Sequence, residues 1–181
     1  MDQPKPKQSP WISILILVFV LALTAGLLIY RDKISTLGQY GYPGLFIISA
    51  LTNATVIIPM PTIILTTAMG AVFNPIWVAV AAGSGAAVGE LSGYLAGFSG
   101  RAVVENRAWF DRLVEWMKKY GDVTILVLAF IPNPLFDMAG IIAGILKMPI
   151  YRFLFWCVLG KILKMFLFAL GGATLFKGLF N

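Results

Sequence analysis

Two apolar runs, each interrupted in the middle by a pair of prolines set two residues apart, restrict this chain more than any other feature. The first, "YPGLFIISALTNATVIIPMPTIILTTAMGAVF" (42–73), carries Pro59 and Pro61; the second, "VTILVLAFIPNPLFDMAGIIAGILKMP" (123–149), carries Pro132 and Pro134. Proline has no amide donor and disfavours helix in the residue before it, so a straight helix through either point is ruled out. Each run is expected to form two half-length helices meeting at a turn, giving re-entrant hairpins over 42–73 and 122–148 that enter and leave on one side. Such irregular backbone is tolerated at membrane depth only where protein or a water-filled cavity surrounds it.

The membrane itself is implied by composition. Only 12% of the residues are charged and 59% are hydrophobic, whereas a soluble domain carries about 25% charged residues. At 181 residues the chain suits one compact membrane domain. Residues 1–10, "MDQPKPKQSP", read as a disordered polar tail. Residues 11–30 supply an apolar stretch long enough for a first transmembrane helix, with Trp11 and Tyr30 at its two interfaces. A cleavable signal peptide is the rival reading, but its apolar region is normally shorter, about 7–15 residues. Two further spanning helices are predicted over 75–98 and 150–176, neither with an internal break.

Between the hairpins lies a polar segment in which Val103, Phe110, Leu113, Val114 and Met117, with Trp109 and Trp116, fall mostly on one helical face. Arg107, Arg112, Glu115 and Lys119 lie opposite. That spacing predicts an interfacial amphipathic helix over 101–119, with an ordinary solvated connector as the alternative.

The two proline-broken runs are copies of one unit. Ile58-Pro59-Met60-Pro61 matches Ile131-Pro132-Asn133-Pro134, and Pro75 matches Pro149, each opening a long apolar helix. The predicted fold is therefore an all-α, polytopic membrane protein with two inverted repeats, each a re-entrant hairpin followed by a spanning helix. In transporters, paired interrupted segments of this kind point to the binding site. Basic residues favour the cytoplasmic side. Nine of them (Lys5, Lys7, Arg101, Arg107, Arg112, Lys118, Lys119, Lys147 and Arg152) against three (Arg31, Lys33 and Lys177) place the N-terminus in the cytoplasm. The net charge of +6 fits those loops rather than a nucleic-acid partner.

Histidine is absent and Cys157 is the single cysteine, so an internal disulfide, a zinc or haem site and a His-dependent catalytic triad have no residues to build them. No phosphate-binding glycine loop for a nucleotide occurs. Cys157, in an apolar run, reads as a small buried hydrophobe. No metal, cofactor or enzymatic activity is expected.

Four ionisable residues fall within the predicted membrane segments: Glu90, Asp137, Lys161 and Lys164. Each costs about 2.5–3.5 kcal/mol near a helix centre, so such groups normally face a protein interior or an aqueous cavity and pair with one another. A structural ion-pair cluster is one reading. A polar midplane site is the other, its carboxylates exchanging protons and its lysines holding an anionic headgroup while a ligand crosses. Glu90 sits beside a stripe of glycines, Gly85, Gly89, Gly93 and Gly97, whose spacing allows close helix packing. Gly140 and Gly144 repeat that spacing in the second hairpin. Tyr94, one turn beyond Glu90, is placed to hydrogen-bond it, and Asn133 lies at the second proline pair.

The run Gly85-x-x-x-Gly89-Glu90-x-x-Gly93-Tyr94-x-x-Gly97-x-x-Gly100-Arg101 and the run "FIPNPLFDMAGIIAGILKMPIYRF" (130–153) resemble the DedA family, whose shared unit is also called the VTT or SNARE-associated Golgi protein domain. The resemblance covers roughly 40–176. It implies two opposed re-entrant hairpins and movement of an anionic lipid, such as undecaprenyl phosphate or a phospholipid, between leaflets of the bacterial inner (plasma) membrane, with protons as a coupling partner. Eukaryotic relatives are scramblases. The best-studied bacterial members carry acids around the first proline turn, where this chain has Asn53, Ala54, Thr62 and Ile63. They carry arginines where it has Ala129 and Phe136, and Lys161 and Lys164 are expected to supply that positive charge. Two rivals to lipid transport stay open: a proton-coupled exporter of small cations or drugs, and a membrane scaffold that transports nothing.

Overall fold

The computed structural model describes residues 38–54, 61–100, 107–132 and 135–180, and every element among them is helical. In chain order these are α1 (Gly38–Ala54), α2 (Pro61–Val72), α3 (Pro75–Gly89), α4 (Leu91–Phe98), α5 (Arg107–Tyr120), α6 (Asp122–Phe130), α7 (Leu135–Ile145) and α8 (Ile150–Phe180). The expected tail (1–10) and first transmembrane helix (11–30), together with Pro59, Asn133 and Pro134, lie outside the described residues.

Local chemistry sets the helix boundaries. Asn74 caps α3, its side-chain oxygen accepting the Ile76 amide at 2.9 Å, and Pro75 takes the first helical position, where its missing N–H costs nothing. At the end of α7 the chain turns through Lys147 at φ +52°, with the Met148 amide donating to the Ala143 carbonyl at 2.9 Å. That left-handed residue lets the orphan carbonyls find partners before Pro149 restarts the chain as α8. Gly121 at φ +49° makes the corresponding turn between α5 and α6, where a side chain would be strained.

Among the described residues two stretches are long and apolar enough to cross a membrane, Pro75–Phe98 (24 residues) and Ile150–Leu175 (26 residues); at 1.5 Å per residue they reach about 36 and 39 Å. α2 and α7, of 12 and 11 residues, reach only about 18 and 17 Å, well short of the roughly 30 Å hydrocarbon core. The first long stretch is not continuous. A turn at Glu90, with ψ −15° against about −42° in a regular helix, separates α3 from α4. Its sequence carries no proline there; the break falls where the two halves part company, α3 packing along α1 and α8, and α4 along α7.

The helix pairs approach closely because small residues face one another. A Cβ added at Gly85 or Gly89 would run into the carbonyls of Phe46 or Ala50 on α1, and one at Gly97 or Gly144 into the backbone of Ile141 or Tyr94 across the α4–α7 contact. Gly93 sits more loosely, 3.7 Å from the Asp137 carbonyl by the same construction, and Gly140 has similar room. α6 lies along the first part of α8 and α2 along its later part, where Gly172 abuts the Thr67 backbone while Gly171 faces open space. These two neighbours are expected to respond with opposite sign. Gly172→Ala should lower the free energy of unfolding by about 1–3 kcal/mol through overpacking, read from denaturant unfolding in micelles. Gly171→Ala should be neutral or stabilise by up to about 1 kcal/mol through helix propensity.

Among the described residues the buried side chains form two apolar clusters. One gathers Tyr94, Leu113, Met117, Ile125, Phe136, Ile142, Phe153 and Cys157; the other gathers Leu45, Met69, Phe73, Val78, Ala82, Met165 and Ala169. α8 runs through both, and the gap between Cys157 and Met165 is where its two lysines lie. The outside of α8 is apolar instead: Leu163 is 45% exposed, whereas its neighbour Lys164 is 8% exposed. Greasy surface around buried charge is the inverse of a water-soluble protein and is what a lipid solvent demands. α5 turns Leu113 and Met117 inward and leaves Arg112, Glu115, Trp116 and Lys119 exposed, so Trp116 joins the polar residues outside rather than the apolar face.

Candidate functional site

At the junction of the two clusters, Lys161 meets Glu90 at 2.5 Å, with 4% and 5% of the respective side chains exposed. Residues 71 positions apart come together because α3 and α8 pack along each other, Gly83 allowing the Ile162 backbone to approach. The ammonium also donates to Asn53 Oδ1 at 3.1 Å and stands 4.7 Å from the centre of the Phe136 ring. A lysine has three N–H donors, and here a carboxylate, an amide oxygen and an aromatic face take them. Asn53 is held in turn, its Nδ2 donating to the Ser49 carbonyl at 2.8 Å.

Lys164, one turn further along α8, differs. It is buried as a residue, though less completely than Lys161, and among the described residues no hydrogen bond or ion pair reaches its ammonium. Hydroxyls gather nearby on α1 and α2: Thr52 and Thr62 share a 2.8 Å hydrogen bond, and Thr66 donates to the Thr62 carbonyl at 2.6 Å and to Met165 Sδ at 3.7 Å. Ser49 is wholly buried, and its hydroxyl has no hydrogen-bond partner among the described residues. The junction is thus lined by polar groups from α1, α2, α8 and the α3–α4 turn, an arrangement that favours charged chemistry within an apolar body.

Asp137 lies in the first turn of α7, next to Phe136, whose ring supports Lys161. It interacts electrostatically with Glu90, Lys161 and Lys164, but it is exposed and makes no ion pair among the described residues. Pro132 is exposed where α6 ends, and Pro61 opens α2. Tyr94 corrects an expectation. Its hydroxyl donates to the Met148 carbonyl at 2.5 Å, not to Glu90, whose carboxylate Lys161 already occupies; its ring stacks on Phe153 with centroids 5.1 Å apart. Asn53 and Phe136 are the site residues that sequence reasoning did not assign. The only hint was that both stand where related chains carry charge.

Among the described residues no cluster of three or more His, Cys, Asp or Glu side chains suits a metal ion. Cys157 is free and buried, one turn before Lys161. Elsewhere, Arg152 and Asp122 make an exposed ion pair at 2.7 Å that ties the start of α8 to the start of α6.

A family model described as the VTT domain matches residues 58–174, more than half of the chain. Among curated proteins, vacuole membrane protein KMS2 of Arabidopsis thaliana is 35% identical over 65 residues, which is 36% of this chain and 15% of that protein. Vacuole membrane protein KMS1 of the same plant is 38% identical over 55 residues, 28% of this chain and 13% of that protein. The matched stretch is therefore less than a fifth of either relative's length. No solved structure matches the chain significantly.

Proposed function

The chain belongs to the VTT domain family of membrane proteins, and from that premise we propose that it carries a phosphate-bearing lipid headgroup between leaflets. The passage is the polar junction around Lys161 and Lys164, while the acyl or prenyl tail stays in the surrounding lipid. The observation that carries this reading is the contrast between the lysines: Lys161 is saturated by Glu90, Asn53 and Phe136, and Lys164 has no ion pair or hydrogen bond among the described residues. A buried cation without a partner is expensive, and a phosphate oxygen is a natural group to complete it.

The packing pattern supports a repeated architecture. α1 lies along α3 and α6 along α8, each the helix that follows its own hairpin; α2 lies along α8 and α7 along α4, each belonging to the other unit. That exchange of second arms is what two oppositely inserted hairpins facing one another would give, and it brings the N-terminal ends of α2 and α7 toward the lysines. The excess of lysine and arginine in the 99–122 segment favours that face as cytoplasmic.

The test is a leaflet-exchange assay with the full chain in proteoliposomes containing acyl-labelled phospholipid. Dithionite added outside should bleach label beyond the outer-leaflet fraction seen in protein-free vesicles. A plateau identical to that of the empty vesicles would sink the proposal. An ion-driven pH change without lipid movement would favour a cation exporter instead.

A further inference from the structure

We infer that the preferred headgroup is zwitterionic, a phosphodiester joined to an ammonium, with Lys164 taking the phosphate and Asp137 taking the ammonium. This rests on the reading of the junction as a lipid passage and narrows what that passage selects.

The argument starts from the charges at the junction. Glu90, Asp137, Lys161 and Lys164 sum to zero, and the Glu90–Lys161 contact uses one charge of each sign. One base and one acid are left. Asp137 follows Phe136, whose ring lies 4.7 Å from the ammonium of Lys161, one turn before Lys164, yet the two leftover groups form no ion pair with each other. Lys164 is enclosed, at 8% exposed, whereas Asp137 opens to the outside at the start of α7. Phe136 fills the space beside Asp137 and is already committed to Lys161, so the ring holds the start of α7 against the lysine-bearing part of α8.

Leaving both groups unpaired at membrane depth is costly for each, and two kinds of lipid relieve that cost unequally. A headgroup carrying only phosphate satisfies Lys164 but brings a net negative charge up to Asp137 and Glu90, and like charges repel strongly where water is scarce. A headgroup carrying phosphate and ammonium satisfies both and adds no net charge. Aminoethyl and choline phosphodiesters carry that pair of opposite charges on one short chain.

The experiment compares two lipids in the same proteoliposomes, each labelled on an acyl chain so that the headgroup is intact: phosphatidylcholine, zwitterionic, and phosphatidylglycerol, anionic. The wild-type chain should exchange phosphatidylcholine about tenfold faster, the factor that one charge-assisted contact represents. Asp137→Asn should bring the ratio to about one, by slowing phosphatidylcholine and by speeding phosphatidylglycerol once the repelling charge is gone, and Lys164→Gln should slow both lipids together. The ratio is internal to each preparation, so a variant that folds incompletely scales both rates and leaves the ratio intact. Equal wild-type rates, or faster phosphatidylglycerol, would overturn the inference while leaving lipid passage standing. So would an Asp137→Asn protein that keeps the wild-type preference. Failure of both lipids to cross would overturn the passage itself, and this inference with it.

Discussion

Lys161→Met is expected to destabilise the protein by about 3–5 kcal/mol, the range found when one partner of a buried ion pair is removed. The substitution strands the Glu90 carboxylate at 5% exposure and removes the donor that satisfies Asn53 Oδ1. Methionine fills nearly the same volume, so little of the loss comes from packing. The double variant Glu90→Gln, Lys161→Met should recover most of the stability, because a buried pair replaced together by neutral groups of similar shape is often no worse than the pair. Reversible unfolding in mixed micelles measures both variants. A Lys161→Met protein as stable as the wild type would mean that the contact at the junction contributes no net stability. A double variant as unstable as the single one would place the cost in Asn53 and Phe136 rather than in the stranded carboxylate.

How far the sequence alone reaches can be judged residue by residue. The glycines at 85, 89 and 97 announced close helix approach because spacing is a local property, and the structure puts a neighbouring backbone against each. Membrane-spanning length was legible for the same reason: an apolar run needs no partner to be recognised. The turn at Glu90 was not legible. Nothing in "GSGAAVGELSGYLAGF" forbids a continuous helix, and the interruption comes from what each half packs against, which sequence does not display. The two partners of Lys161 differ in the same way. Glu90 was a candidate because a charge in an apolar run stands out, but Asn53, 108 residues away, stands out only once α1 has been laid beside the junction. Spacing along the helix points Tyr94 at Glu90, its nearest polar neighbour. Its hydroxyl lies too far from its own backbone for that neighbour to decide its partner, and the carbonyl of Met148, 54 residues on, takes the hydrogen bond.

Lys164→Met is expected to move stability and transport in opposite directions, and that separates a ligand group from a structural one. The lysine is enclosed at 8% exposure with no hydrogen-bond partner among the described residues, so burying its charge works against folding. Methionine keeps the unbranched stem and removes the charge. The folded state should gain about 1–3 kcal/mol, the usual cost of a buried polar group left unsatisfied. Leaflet exchange of phosphate-bearing lipid should fall by at least about tenfold, since the phosphate loses its cation. Residues that reduce stability without a structural return are commonly the ones function retains. If Lys164→Met were instead less stable than the wild type, the lysine would be holding the fold through a partner, and slower exchange would carry no information about a headgroup. If stability rose and exchange stayed at the wild-type rate, the lipid would be passing elsewhere, and the leftover charge on α8 would not be the group that meets it.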